Sequence, residues 1–164
     1  MKNRTAFLGV FSALAIILGY VESMIPFFSG IPGMKLGLAN MAVIAVLYLY
    51  GPADALFVSL VRILVVGMMF GNMVSILYSL TGAVLSISVM IWLKGKGWFS
   101  IRGVSIAGGV FHNIGQLFIA AVTVNTFQIF YYMPLLILSG TLTGILIGIL
   151  GGEITRRMKG ILLT

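Results

Sequence analysis

Arg62 stands in the middle of an apolar run, Glu22 near the far end of another, and Asn40, His112, Asn113 and Gln116 inside two more. Lys35 follows the Pro32-Gly33 turn and precedes Leu36-Gly37-Leu38-Ala39-Asn40. A charge or amide surrounded by hydrocarbon is costly, and inside a membrane it is a functional site by default. The chemistry these side chains offer is recognition rather than bond making. A guanidinium forks onto a carboxylate or phosphate, while the ammonium, imidazole and amide groups add single donors. Glu22 is the acid among them, able to pair with Lys35 or Arg62.

Other chemistries are missing. The chain has three acidic residues, far apart, too few to cluster around the magnesium ions of a diphosphate enzyme. His112 is the one histidine and there is no cysteine, so no metal site is expected. No Gly-x-x-x-x-Gly-Lys-Ser/Thr string offers a phosphate-binding loop, and no nucleophile–base pair can be assembled. The chain is expected to be neither an enzyme nor a holder of cofactors.

Hydrophobic residues make up 60% of the 164 residues and charged ones 8%, against roughly a quarter charged in soluble domains. The expected fold is an all-α integral membrane protein, one domain over residues 1–164, built as a bundle of six transmembrane helices. The first helix runs from about Thr5 to Ile25 and is expected to stay uncleaved, since no small-x-small pattern follows it. Pro26 to Gly33 forms a loop, and a second helix runs from about Met34 to Tyr50. After Gly51-Pro52 a third helix continues to Phe70, with Asp54 in its first turn where the helix dipole favours an acid. Gly71-Asn72 breaks the chain before a fourth helix, Met73 to Leu93. A basic loop, Lys94 to Gly103, carries Trp98 at headgroup level. A fifth helix, Val104 to Val124, a turn at Asn125 to Gln128, and a sixth helix ending near Gly152 complete the bundle. Glu153 to Thr164 is a basic tail. Gly140, Gly144, Gly148 and Gly152 form a small-residue stripe expected to pack within the bundle.

Six crossings put both termini on one side. Lys2, Arg4, Lys94, Lys96, Arg102, Arg156, Arg157 and Lys159 fall on that side, Lys35 alone on the other, and Arg62 within the bilayer. The positive-inside rule makes the basic side cytoplasmic. At ~1.5 Å per residue, Arg62 and His112 lie near the midplane, with Gln116 one turn further out on the same face. Asn40 lies about one and a half turns inside the outer end of its helix, and Glu22 near the outer end of the first. The polar groups therefore converge on the outer half. They could be interhelical glue, worth about 0.6 kcal/mol per bond, or His112 could serve a proton path. An arginine at mid-membrane costs at least ~2.5 kcal/mol, so a ligand pocket open to the outside is the stronger expectation.

Leu14-Ala15 with Glu22 and Pro26, the string Pro32-Gly33-x-Lys35-Leu36-Gly37-Leu38-Ala39-Asn40, Arg62, Ser79-Leu80-x-Gly82, Ser86, Gly103-Val104-Ser105, and His112-Asn113-x-Gly115-Gln116 together carry a resemblance. They closely resemble a bacterial membrane family labelled both "Gx transporter" and "heptaprenyl diphosphate synthase component I", over nearly the whole chain. That family in turn looks like the substrate-binding S components of energy-coupling factor (ECF) vitamin transporters. The resemblance implies a bacterial cytoplasmic-membrane protein with six helices and cytoplasmic termini. It also implies a pocket in the outer half gated by the loop between helices 1 and 2, where Phe27, Phe28, Pro32 and Gly33 lie. The implied partners are a shared transmembrane subunit and two ATPases. S components often dock through Ala-x-x-x-Ala in helix 1, and Gly9 and Ala13 are the nearest match here. The synthase label implies, as an alternative, a non-catalytic membrane partner of a polyprenyl diphosphate synthase. The substrate-binding set is expected to be Glu22, Lys35, Asn40, Arg62, His112, Asn113 and Gln116. The expected ligand is small, partly apolar and anionic, or neutral if Glu22 neutralises Arg62.

Overall fold

A computed structural model describes residues 4–24 and 37–162. Among them the chain is helical, in the order α1 (Arg4–Met24), α2 (Asn40–Leu49), α3 (Pro52–Phe70), α4 (Met73–Lys96), α5 (Ile101–Val124), a 3-10 segment (Phe127–Tyr132) and α6 (Met133–Leu162). Five helices are long and apolar enough to cross a bilayer. Large apolar side chains such as Val10, Ile17, Phe57, Met68, Phe118 and Leu142 lie exposed on them. The protein is a multi-pass, all-α membrane protein.

The second helix is shorter than the sequence suggests. It was expected over Met34 to Tyr50, yet it begins at Asn40 and has 10 residues, a rise of ~15 Å against a hydrocarbon core of about 30 Å. The cause is local. Gly37 takes φ +71°, a left-handed conformation that ordinary residues avoid, and the chain turns through Leu38 and Ala39 before the helix starts. Asn40 is thus the first residue of α2, not one and a half turns inside it. Ala42 through Leu47 are all buried. A helix apolar on every side belongs in the middle of a bundle, and α2 packs against α1, α3 and α6.

Several ends differ from expectation for readable reasons. α4 runs on to Lys96 and is closed by Gly97 in the left-handed conformation, while Ser100 caps α5 by accepting the Gly103 N–H. The expected basic loop is therefore only the short link between them. α6 continues past Gly152 because Glu153 pairs with Arg156 and Arg157, each at 2.7 Å and one turn on.

One end of the bundle gathers cations. Arg4 forks onto Asp54 at 2.8 and 3.1 Å, so α1 and α3 run parallel. Asp54 is held by this pair, a role beyond the helix dipole. Lys94 of α4 donates to the Leu47 carbonyl at 2.5 Å, closing the C-terminal end of α2. Arg102 at the start of α5 lies against Gly148, half-way along α6.

The glycine stripe packs inside the bundle. A Cβ on Gly140 would lie 2.8 Å from the Gly109 carbonyl oxygen, on Gly144 2.6 Å from the Ile106 Cα, and on Gly148 2.8 Å from the Arg102 Cα. α5 and α6 therefore meet backbone to backbone. Gly9, by contrast, has nothing within 4 Å of where its Cβ would be. Gly144→Ala should lower stability by about 1–3 kcal/mol through overpacking. Gly9→Ala should be neutral or stabilising by up to ~1 kcal/mol. Thermal unfolding of the detergent-solubilised variants measures both, and equal effects would contradict this seam.

Candidate functional site

Arg62 sits half-way along α3, 9% exposed, and its aliphatic stem needs space. Gly19 of α1 supplies that space. A Cβ there would touch the Arg62 Cγ and Cδ at 3.7 and 3.8 Å and press on the Val66 Cγ2 at 3.1 Å. The guanidinium reaches Asn40 at the start of α2, where Nη2 donates to Oδ1 at a long 3.5 Å. Its Nε is buried with no hydrogen-bond partner. Of this group's five donors, the Nε N–H is thus unpartnered and one Nη2 N–H makes only a long bond among the described residues.

Glu22, also 9% exposed, lies one turn further along α1. Its Oε1 accepts the Gly37 N–H at 2.5 Å, which holds the left-handed turn leading into α2. Glu22 and Arg62 attract one another electrostatically but form no ion pair. The ion pairs among the described residues are those of Arg4 with Asp54 and of Arg156 and Arg157 with Glu153.

Between α1, α3 and α4 lies a cavity of about 230 Å³. Glu22 and Arg62 supply its charges, Ser23, Ser75 and Ser79 its hydroxyls, and Ile63, Val66 and Phe70 its apolar wall. Gly67 and Gly71 leave room on α3 where the Ile76 and Ser75 side chains press in. The cavity reaches exposed residues Ser23, Phe70 and Gly71 at the end of the bundle opposite the Arg4–Asp54 pair. There Tyr20 packs on Phe70 with ring centroids 4.5 Å apart. The turn beside it is fixed by Asn72 and Ser75, each side chain bonding the other's backbone.

The residues singled out from the sequence divide into separate groups. Glu22 and Arg62 share the cavity, and Asn40 touches Arg62 from behind. His112, Asn113 and Gln116 do not line the cavity and belong to the contacts of α5. Asn113 Nδ2 donates to the Leu136 carbonyl at 2.9 Å, tying α5 to α6. His112 and Gln116 press on Gly82 of α4, where a Cβ would lie 3.0 Å from the His112 Cε1 and 3.0 Å from the Gln116 Cγ. Gln116 is 1% exposed, and both of its amide atoms lack a partner among the described residues. Gly9 and Ala13 lie exposed on the outside of α1. Lys35, Phe27, Phe28, Pro32 and Gly33 fall outside the described residues.

The sequence did not point to Gly19, Val66, Phe70 or Ser75 as cavity residues. Ala15-x-x-x-Gly19 was a visible small-residue pattern, and Gly19 serves both packing and space for Arg62. Ser75 had a signal in the Asn72-x-x-Ser75 cap spacing. Among the described residues no group of three or more His, Cys, Asp or Glu could hold a metal ion.

The Asn113 bond is separable from the cavity. Asn113→Leu should lower thermal stability by about 1–2 kcal/mol, the worth of a buried hydrogen bond. It should leave retention of any small molecule copurifying with the protein unchanged. Mass spectrometry of the purified variant checks this, and loss of such a molecule at unchanged stability would move Asn113 into the binding site.

Among curated proteins and among solved structures, nothing matches this chain. Residues 11–154, a span that includes every residue lining the cavity, match the family described as heptaprenyl diphosphate synthase component I, and the chain belongs to that family.

Proposed function

We propose that this protein is an S-type membrane subunit of an ECF-type, ATP-driven importer, capturing a small ligand in the cavity between α1, α3 and α4. The observation that carries this is the Arg62 guanidinium, buried at the cavity wall with its Nε unpartnered and its one described bond 3.5 Å long. A buried donor group without acceptors is costly, and an anionic ligand would supply them. The apolar wall of Ile63, Val66 and Phe70 suits the rest of a partly apolar molecule.

The basic end of the bundle is assigned to the cytoplasm, with both termini there, by the positive-inside rule. The cavity then lies in the outer half of a bacterial cytoplasmic membrane. Glu22 lines the cavity and accepts the Gly37 N–H, so the end of α1 and the turn into α2 meet at a cavity residue. Phe27, Phe28, Pro32 and Gly33 are proposed to gate it, and Lys35 to add a second cation. His112 and Gln116 are proposed to support the site from α5. With no nucleotide-binding string of its own, the chain needs a transmembrane partner and two ATPases. The exposed Gly9–Ala13 face of α1 offers that partner a close approach.

The family description favours a second role, as a non-catalytic membrane partner of a polyprenyl diphosphate synthase. The cavity does not suit the product of such an enzyme. A dry cavity of 150 Å³ holds benzene, so 230 Å³ accommodates about nine heavy atoms, far fewer than a heptaprenyl chain. At the basic end Lys94 is held by the Leu47 carbonyl, while Arg156 and Arg157 share one partly exposed partner, Glu153.

Mass spectrometry of the purified protein should identify a retained small molecule. Arg62→Lys should weaken its binding by roughly 1.5–3 kcal/mol, the worth of a charge-assisted bond, with little loss of folded protein. ATP-dependent uptake should require the ECF subunits. Unchanged retention with a marked fall in stability would make Arg62 structural, and transport by the chain alone in liposomes would make it a secondary carrier.

A further inference from the structure

The walls of the cavity carry one acid and one base, each 9% exposed, on different helices and not in contact as an ion pair. Three kinds of ligand can be weighed against that arrangement. A simple anion on Arg62 would leave the described walls with a net negative charge, Glu22 facing it across a low-dielectric space, and uncompensated buried charge is strongly disfavoured. An uncharged apolar ligand would leave the Arg62 donors unfilled and separate the two charges without replacing either partner. A molecule bearing both charges satisfies Arg62 and Glu22 together and keeps the described walls neutral.

Resting on the capture role above, we propose that the ligand is a zwitterion of the amino-carboxylate type, its carboxylate on Arg62 and its ammonium on Glu22. Glu22 has capacity for this role. The Gly37 N–H occupies one lone-pair direction of Oε1, and a carboxylate has about four such sites. Arg62 gives only a long contact to Asn40, so its fork is available to a second carboxylate. Ile63, Val66 and Phe70 then face the ligand's side chain. The volume, about nine heavy atoms, fits a free amino acid with an apolar side chain.

The test uses the full chain in detergent, stripped of copurifying small molecules. The probes are leucine, isoleucine and methionine, each compared with its des-amino acid and its decarboxylated amine. At least one amino acid should raise the unfolding temperature saturably, with both of its single-charge analogues binding roughly tenfold weaker or worse, as expected for loss of a charge-assisted bond. Glu22→Gln keeps an acceptor for the Gly37 N–H and removes the charge. That variant should bind the des-amino acid at least as well as the amino acid. Equal binding of an amino acid and its des-amino analogue by the unaltered protein overturns the inference and leaves capture of an anion standing. An unchanged preference in Glu22→Gln also overturns it. So does failure of every probe to bind, whereas the capture role is decided separately by the retained molecule and by uptake.

Discussion

A ten-residue apolar helix held in the middle of a bundle has few turns of its own, and the orphan backbone groups at its two ends need partners. Much of this structure follows from meeting that demand on α2. At its C-terminal end the Leu47 carbonyl takes the Lys94 ammonium, and the Tyr50 and Gly51 N–H groups close back onto the Val46 carbonyl. At its start the Asn40 and Met41 N–H groups bond the Gly37 and Leu38 carbonyls, and the Gly37 N–H is taken by Glu22. Long helices on either side therefore contribute charges to a short one that could not be buried without them.

The candidate site grows from the same arrangement. Glu22 must reach inward to hold the turn before α2, and this places its carboxylate on the wall facing Arg62. Asn40, the first residue of α2, meets Arg62 from the other side. The support of α2 and the wall of the cavity thus share atoms. Moving either charge would disturb both the entry to α2 and the cavity.

The five long helices were legible because a spanning run of apolar residues announces itself by length. α2 was misread because an apolar run has the same look whether it faces lipid or is enclosed by other helices. The break at Gly37 depends on a hydrogen bond from a residue 15 positions earlier. The Arg4–Asp54 and Lys94–Leu47 contacts bridge 50 and 47 positions, beyond the reach of local pattern. Glu22 and Arg62 were visible because charges in hydrocarbon are costly. His112, Asn113 and Gln116 gave a similar signal but turn toward α4 and α6. Depth along a helix can be counted from sequence, whereas the direction a residue faces depends on which neighbour packs there.

The seam of glycines between α5 and α6 also bears on how the molecule can move. Side chains that interlock can change rotamer and let helices slide, but backbones in direct contact have no such slack. Gly82 and Gly115 extend the same contact to α4, where a Cβ on Gly115 would lie 2.9 Å from the Gly82 Cα. The three C-terminal helices therefore behave as one stiff plate. α1 is attached to α3 at the basic end by a guanidinium fork, and at the cavity end it meets its neighbours through Gly19 against Arg62 and Val66, one backbone bond and an aromatic pair. The cavity lies where α1 and α3 border that plate, with α4 supplying the plate's side of the wall.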